Sequence, residues 1–443
     1  MNIIRSVALA MQTALGSELD TIGRDTGVIQ RQRKFSGATL FQTIVLTFMK
    51  SRRAAPNEFV ATAAQIGVRV TPEAVEKRFT DKLILFLREG LRHVLQQVVV
   101  ADPVAIPLLR RFTAVEIGDS TTVSLPDEYA DQFPGCGGTA ESGKAAVKIQ
   151  ARWELIRGQL TKLLVEPGRR SDGQSEEAEA EVKPGSLIIR DLGYFCLEWF
   201  AKLGQAGAYW ISRWQQGTTV CDRDGRPLDL LRFVQDYRGE GPIDLPILLG
   251  ATARLACRLI VLRVPPEMAA RRRQEAYEKA RKHGRTPSQE CLAWCDWTLL
   301  VTNLPAEMAS WKELVVLYRT RWQIELMFKL WKSRSQLAVF RETWSAEERM
   351  AAFWAKLIGV ILQHWLLLSS TWSNPRRSHW KAAEVIQDWI VSLTNALNDI
   401  EQLICVLEKM AATIEAVAQQ KLRKKDPASF QLLLDPELLD WEC

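Results

Sequence analysis

Tyr318, Arg321, Glu325 and Lys332 stand at offsets 0, 3, 7 and 14 in the stretch YRTRWQIELMFKLWK. On a helix advancing about 100° per residue, those positions fall within roughly 60° of one another. One face would then offer a carboxylate, two cations and a phenol, a set suited to a place where metal ions and phosphates meet. Upstream, Asp119 and Asp191 each follow a short strand-like run, 112–117 and 186–189, and are read as strand-end residues. Phosphodiester hydrolysis and strand transfer need an activated oxygen nucleophile and a stabilised leaving oxygen, and two divalent metals about 4 Å apart can serve both. Magnesium takes oxygen ligands, and strand ends beside a packed helix can gather carboxylates that are distant in the chain. A single carboxylate is ordinarily a turn residue or a solvated charge. Three of them beside apolar cores, in this order, point to a metal-dependent enzyme acting on DNA.

Arg321 can grip a phosphate bidentately and Lys332 brings a mobile charge. Tyr318 can donate a hydrogen bond to the same group. The plainer alternative is salt bridges along an exposed helix. Trp322 could wedge against an unstacked base or pack between layers. Trp297 opens a strand beside a basic segment, where its ring could hold a flipped base. Other chemistries are poorly served. His93, His283, His364 and His379 stand apart from the three carboxylates in sequence. No phosphate-cradling P-loop, dinucleotide fingerprint or nucleophile elbow is present, so ATP use is not indicated. The 8 cysteines follow no repeated spacing, and Cys291 and Cys295 have no nearby partner to complete a zinc set.

The elements that must position these residues fit a chain of 443 residues, enough for two to four domains. Apolar content of 47% and charged content of 25% are those of a soluble globular protein. A net charge of +6 tilts toward an anionic partner. Residues 251–290 hold ten Lys or Arg against four Glu, a surplus matching that of the whole chain, and Arg271, Arg272 and Arg273 mark its basic centre as a DNA contact. The longest apolar stretch, 357–368, contains Gln363 and His364 and is too short to span a bilayer. With no signal-peptide pattern at the start, the expectation is a soluble protein of the bacterial cytoplasm with no membrane partner, associated with the nucleoid when bound to DNA.

The pattern predicts helices over 1–105, a helical DNA-binding region. Within it, a helix over 57–66 stops at Gly67, and Thr71 caps a second over 72–79 with Pro72 at its first position. That pair resembles a helix-turn-helix, though a plain helical hairpin reads the same way. Residues 106–214 form a first core part with Asp119 and Asp191, including a hairpin around Gly158 and a loop at 167–185. Residues 215–295 are predicted to be a mainly β, basic insertion. Residues 296–345 return to the core with the strand 297–302 and Glu325. Residues 346–443 are helical, a possible dimerisation region.

With these residues in place, the chain resembles the bacterial DDE transposases of the cut-and-paste, IS-four insertion-sequence type. Their signature Tyr-x2-Arg-x3-Glu-x6-Lys is met by Tyr318, Arg321, Glu325 and Lys332. Gly118-Asp119-Ser120-Thr121 and Asp191-Leu192-Gly193-Tyr194-Phe195 resemble the two aspartate motifs, and Trp297-Thr298-Leu299-Leu300 the strand before the catalytic helix. The resemblance spans about residues 30–370. It implies an α/β, RNase H-like core, a mixed β-sheet flanked by helices, with a mainly β insertion. It also implies two Mg²⁺ ions, with Mn²⁺ able to substitute, on Asp119, Asp191 and Glu325. Tyr318, Arg321 and Lys332 would hold end-proximal phosphates and Trp297 a flipped base. The partners would be double-stranded DNA, as terminal inverted repeats and target, and a second copy of the chain. A nuclease that cuts without joining is the alternative enzyme, and a DNA-binding regulator the alternative of another class.

Overall fold

The computed structural model describes every residue except 1, 32, 139–142, 173–181, 240 and 440–443. Residues 173–181 of the loop expected at 167–185 therefore lie outside the described residues. Six helices open the chain: α1 (Ile3–Ala14), α2 (Glu18–Asp25), α3 (Gly37–Lys50), α4 (Pro56–Gln65), α5 (Pro72–Glu76) and α6 (Asp81–Leu95). Strands β1 (Val115–Ser124), β2 (Pro134–Gly138), β3 (Gly143–Glu154), β4 (Leu160–Pro167) and β5 (Leu187–Arg190) follow, then α7 (Leu197–Gln205), β6 (Tyr209–Arg213) and β7 (Val220–Cys221). Next come α8 (Leu230–Asp236), β8 (Ile243–Leu249), β9 (Leu255–Arg263), α9 (Pro266–Lys282), α10 (Gln289–Ala293) and β10 (Trp297–Thr302). The chain closes with α11 (Trp311–Arg319), α12 (Trp322–Ser333), α13 (Ala346–Thr371), α14 (His379–Ala396), α15 (Ile400–Val417) and α16 (Ser429–Leu434).

Two compact units share these elements, and neither is contiguous in sequence. A helical unit takes Met1–Ala105, Ser120–Arg170 and Ile324–Lys421; a sheet unit takes Ile106–Asp119, Ser171–Gln323 and Leu422–Cys443. The N-terminal helices and α13–α15, separate in the sequence reading, thus belong to one body, while α16 falls in the sheet unit.

In the helical unit, α13 is the core. It is the one described helix long and apolar enough to cross a membrane, yet 94% of its apolar window is buried, against α3, α6, α1, α14 and α15. Burial on all sides is what an apolar surface all round a helix demands. Close approach is made possible by missing side chains: a Cβ on Gly90 would stand 2.2 Å from the Phe41 ring, and one on Gly359 2.9 Å from Met49. The predicted hairpin is β3–β4, antiparallel, turning at Gly158 with φ of 75°. The Gly158 carbonyl accepts from Trp153 Nε1 at 3.1 Å and lies 2.6 Å from His364 Nε2, which ties the hairpin to α13. Among the N-terminal helices, Gly67 ends α4 at φ of 86°, and the Thr71 side chain caps α5 by accepting from Ala74 N.

In the sheet unit, β1 as far as Asp119 pairs in parallel with β5, and β5 with β6. Strand β10 is antiparallel to β6, and β9, β8 and β7 extend the sheet antiparallel from it. All four residues of β5 are buried, as a central parallel strand requires. Phe200 of α7 stacks on Trp210 of β6 at 4.2 Å within a core that includes Ile188, Val261 and Val301.

Three expectations are corrected. β1 is one ten-residue strand, so Asp119 sits inside a strand and not at its end. The β-branched Thr121, Thr122 and Val123 carry the extended backbone past Gly118-Asp119. The stretch from Tyr318 to Lys332 is not one helix: α11 ends at Arg319 and α12 starts at Trp322. Between them, Thr320 N bonds to Leu317 O and Arg321 N to Tyr318 O, the tighter i to i−3 pattern, while the Thr320 hydroxyl donates to Leu317 O at 2.6 Å. Residues 215–295 are mixed rather than mainly β. The basic segment is the 17-residue helix α9, whose many long charged side chains favour a solvated helix.

Candidate active site

The register of β1 against β5 sets Gly118 opposite Arg190. The next residue on each strand is an aspartate, so Asp119 and Asp191 stand on adjacent parallel chains. Gly118 permits this crowding, since a Cβ there would lie 3.3 Å from Arg190 Nε and Cζ. Arg190 is buried and lies between the rings of Tyr194 and Trp199, 5.2 and 5.1 Å from their centroids. That grip on the residue before Asp191 fixes where the strand releases it. Asp191 then opens the short 3₁₀ turn Leu192–Tyr194.

The third member comes from the α11–α12 junction. Arg321 Nη1 donates to Asp119 Oδ2 at 3.2 Å, and its Nε lies 3.8 Å from Asp191 Oδ1. One guanidinium thus faces both carboxylates. Two adjacent anions repel one another, and a cation between them relieves that repulsion. The approach of α11 is held by two other arginines. Buried Arg258 of β9 forks onto Asp244 at 3.2 and 2.6 Å and donates to Leu304 O and Ala309 O. Arg111 reaches Glu313 at 2.7 Å and Met308 O at 2.8 Å, and Glu313 also closes the capping box on Ser310. The start of α11 is therefore tied to the segment leading into β1.

Tyr318 lies one residue before the end of α11 with its hydroxyl oxygen buried. Burial pushes the phenol up to about 12, against the opposing pull of the Arg321 charge. Glu325 and Lys332 lie on α12, which belongs to the helical unit from Ile324 onward. Lys332 is exposed, and partial desolvation lowers its ammonium. Trp322 is 54% exposed. Trp297 is half-buried against the core, with Arg263 6.0 Å from its ring centroid.

The three arginines of the basic segment divide. Arg271 is exposed and pairs with Glu275 along α9. Arg272 donates to Trp297 O and Thr298 Oγ1, both at 2.9 Å, and Arg273 grips Asp296 at 2.5 Å. The last two fasten α9 to the start of β10. Arg190 was not among the residues singled out from sequence. It closes a short, otherwise buried parallel strand, and a charged residue in that position is the signal that could have found it.

Carboxylate oxygens suit a hard divalent cation, and the guanidinium between Asp119 and Asp191 shows that this pair accepts a cation. The pair therefore fits a metal site as two of its ligands. Among the described residues, no three His, Cys, Asp or Glu side chains converge into a metal-holding group.

A mixed sheet with flanking helices, carrying two aspartates on neighbouring parallel strands, defines the class. Residues 112–361 match the family model described as the transposase DDE domain. The chain belongs to that family and is a DNA transposase by membership. It is 28% identical to the transposase for insertion sequence element IS231F of Bacillus thuringiensis subsp. israelensis, over 94% of this chain and 92% of that one. It is 25% identical to the transposase for IS1151 of Clostridium perfringens, over 80% and 77% of the two chains. The transposase for IS421 of Escherichia coli is 24% identical, over 78% and 89%.

Proposed function

We propose that the chain excises and inserts an insertion sequence by cut-and-paste transposition, as a member of the IS-four group with an RNase H-like core. The observation that carries this reading is the placement of Asp119 and Asp191 side by side, sharing one cation, in a chain of the DDE family. Glu325, four residues after Arg321, is the proposed third carboxylate. Two bound Mg²⁺ ions, or Mn²⁺ in their place, would supply Lewis-acid stabilisation of the attacking and leaving oxygens.

The protein's own residues then have separable tasks. Asp119, Asp191 and Glu325 hold the metal. Arg321 exchanges its aspartate partners for a DNA phosphate, where its planar fork gives a defined geometry. Tyr318 donates its hydroxyl proton to the same backbone and, held neutral by burial, adds no competing charge. Lys332 contributes a further cation. Trp297 and Trp322 offer faces for an unstacked base. Arg271, with Arg272 and Arg273 behind it, carries the basic face of α9, and α4–α5 is the proposed reader of the terminal repeats. In the proposed sequence, water nicks one strand, the freed 3′-hydroxyl closes a hairpin on the opposite strand, and the reopened end attacks target DNA. A homodimer, joined through the C-terminal helices, would pair two ends in the cytoplasm.

The purified chain incubated with Mg²⁺, a linear DNA carrying the flanking ends of its own gene, and target DNA tests this. Joined products support transposition. Cuts without joined products would support the nuclease alternative, and activity surviving both Asp119→Asn and Glu325→Gln would overturn the site.

A further inference from the structure

The helical unit contains a second collection of charge, drawn from segments on either side of the sheet strands in sequence. A cleft of about 430 Å³, including its open mouth, is lined by Arg52 after α3, Arg334 and Ser335 after α12, Lys356 of α13 and Gln387 of α14. Its remaining lining is apolar or amide, and no carboxylate lines it.

Each cation is held in place by other groups. Lys356 is 2% exposed, donates to Gln336 O at 3.1 Å and Val339 O at 2.5 Å, and lies over the rings of Phe48 and Phe340. Arg52 donates to Gln387 Oε1 at 2.5 Å, and Gln387 in turn donates to Lys50 O at 2.9 Å. Arg334 pairs with Glu384 and stacks on Trp380 at 4.5 Å. Among the described residues, neither Arg52 nor Lys356 has a carboxylate partner. Glu384 therefore balances one of three cations, and Arg53 adds to the excess. The repulsion is mutual: burial first and then Arg334 lower Arg52, while burial followed by Arg53 and Arg52 brings the Lys356 ammonium down to about 7.

Lys356 is buried and Arg52 and Arg334 are half-buried, and like charges drawn out of water with too few counter-charges are costly. Fixed donors approaching from three separate elements suit an anion with several oxygens pointing in different directions. A tetrahedral oxyanion meets that demand better than a planar carboxylate, and guanidinium groups match its edges. We propose that the Arg52–Arg334–Lys356 cleft is a binding site for a single phosphate group, distinct from the carboxylate site. The phosphate could belong to a DNA backbone or be free in solution.

The test uses the full chain in EDTA, so it depends on neither metal nor cleavage and is independent of the proposed catalytic reading. Its thermal midpoint is measured in inorganic phosphate and in sodium chloride of matched ionic strength. Duplex DNA binding is followed by fluorescence anisotropy in the same buffers. Phosphate is expected to raise the midpoint by at least about 2 °C beyond chloride. Arg52→Gln and Arg334→Gln, each checked for folding by circular dichroism, are expected to weaken the phosphate response at least about tenfold. If a backbone phosphate is the natural occupant, phosphate also displaces duplex DNA and the same variants weaken duplex binding. If free phosphate is, the thermal response falls in the variants while duplex binding holds. A wild-type midpoint equal in the two salts, or a folded variant of either arginine that keeps the full response, overturns the proposal. Should Arg52→Gln fail to fold, Arg334→Gln carries the test alone.

Discussion

The sheet unit and the helical unit both gather charged side chains from distant parts of the chain, but they balance them differently. In the sheet unit, Arg321 faces Asp119 and Asp191, so cation and anions answer one another. In the helical unit, Arg52 and Lys356 line a cleft together with Arg334, which pairs with Glu384. A cluster of mixed sign holds its shape alone and gives way only to a stronger cation. An unbalanced one carries a standing penalty until an anion arrives. That difference separates the site proposed for a divalent metal from the one proposed for a phosphate.

The largest effect should fall on the first site alone. Asp119→Asn or Asp191→Asn is expected to reduce DNA cleavage on the order of 10³-fold or more, while leaving the phosphate-dependent midpoint of the helical unit unchanged. Loss of that midpoint shift in either variant would break the separation drawn between the two regions.

The next effect belongs to the helical unit and is read by pH. Burial brings His364 down to about 4 from its ordinary 6.5. A histidine held neutral in the fold but protonated when unfolded contributes stability that is full above about 6.5. That stability is lost as pH falls toward 4, by roughly 3 kcal/mol. His379, half-buried beside it and lowered in the same direction by desolvation and the nearby Arg377 charge, adds to the slope. Urea unfolding between pH 7 and 4 should show this decline. A flat profile would mean that the cluster of Trp153, His364, Trp372 and His379 accepts charge.

A smaller change should follow from unbalancing the balanced site. Arg321→Gln removes the cation that competes for Asp119 and Asp191, so Mn²⁺ should bind about tenfold more tightly, measured by electron paramagnetic resonance. Unchanged affinity would show that the guanidinium does not occupy the metal's place. The smallest expected effect is Trp322→Ala. At 54% exposure the ring contributes little packing, and stability should change by less than about 0.5 kcal/mol. A loss of DNA-end binding in that variant would then report stacking on a base.

Much of the local structure was readable before the fold. The strand Trp297–Thr302 coincides with its predicted bounds, because an apolar, β-rich run needs only its own composition to be recognised. Thr71 and Pro72 announced α5 through a cap that spans three residues. What failed were boundaries where competition is decided locally but subtly. The Thr320 hydroxyl competes for the Leu317 carbonyl and marks where α11 gives way to α12. The strand through Asp119 continues because neighbouring chains pair with both its halves. Helix α9 was hidden by charge, since a solvated helix lacks the apolar stripe that periodicity reads.

By itself the sequence determined the chemistry on offer: which carboxylates follow apolar strands, which cations cluster along the chain, and which family they resemble. Only the tertiary structure decided which charges meet. Asp119 and Asp191 become neighbours through a parallel register, and Arg321 reaches them because Arg258 and Arg111 hold the start of α11, the helix before it. Arg52, Arg334 and Lys356 come from segments that sequence spacing cannot relate. The physical reason is that propensity and capping act over a few residues, whereas electrostatic balance acts over a few ångströms of space.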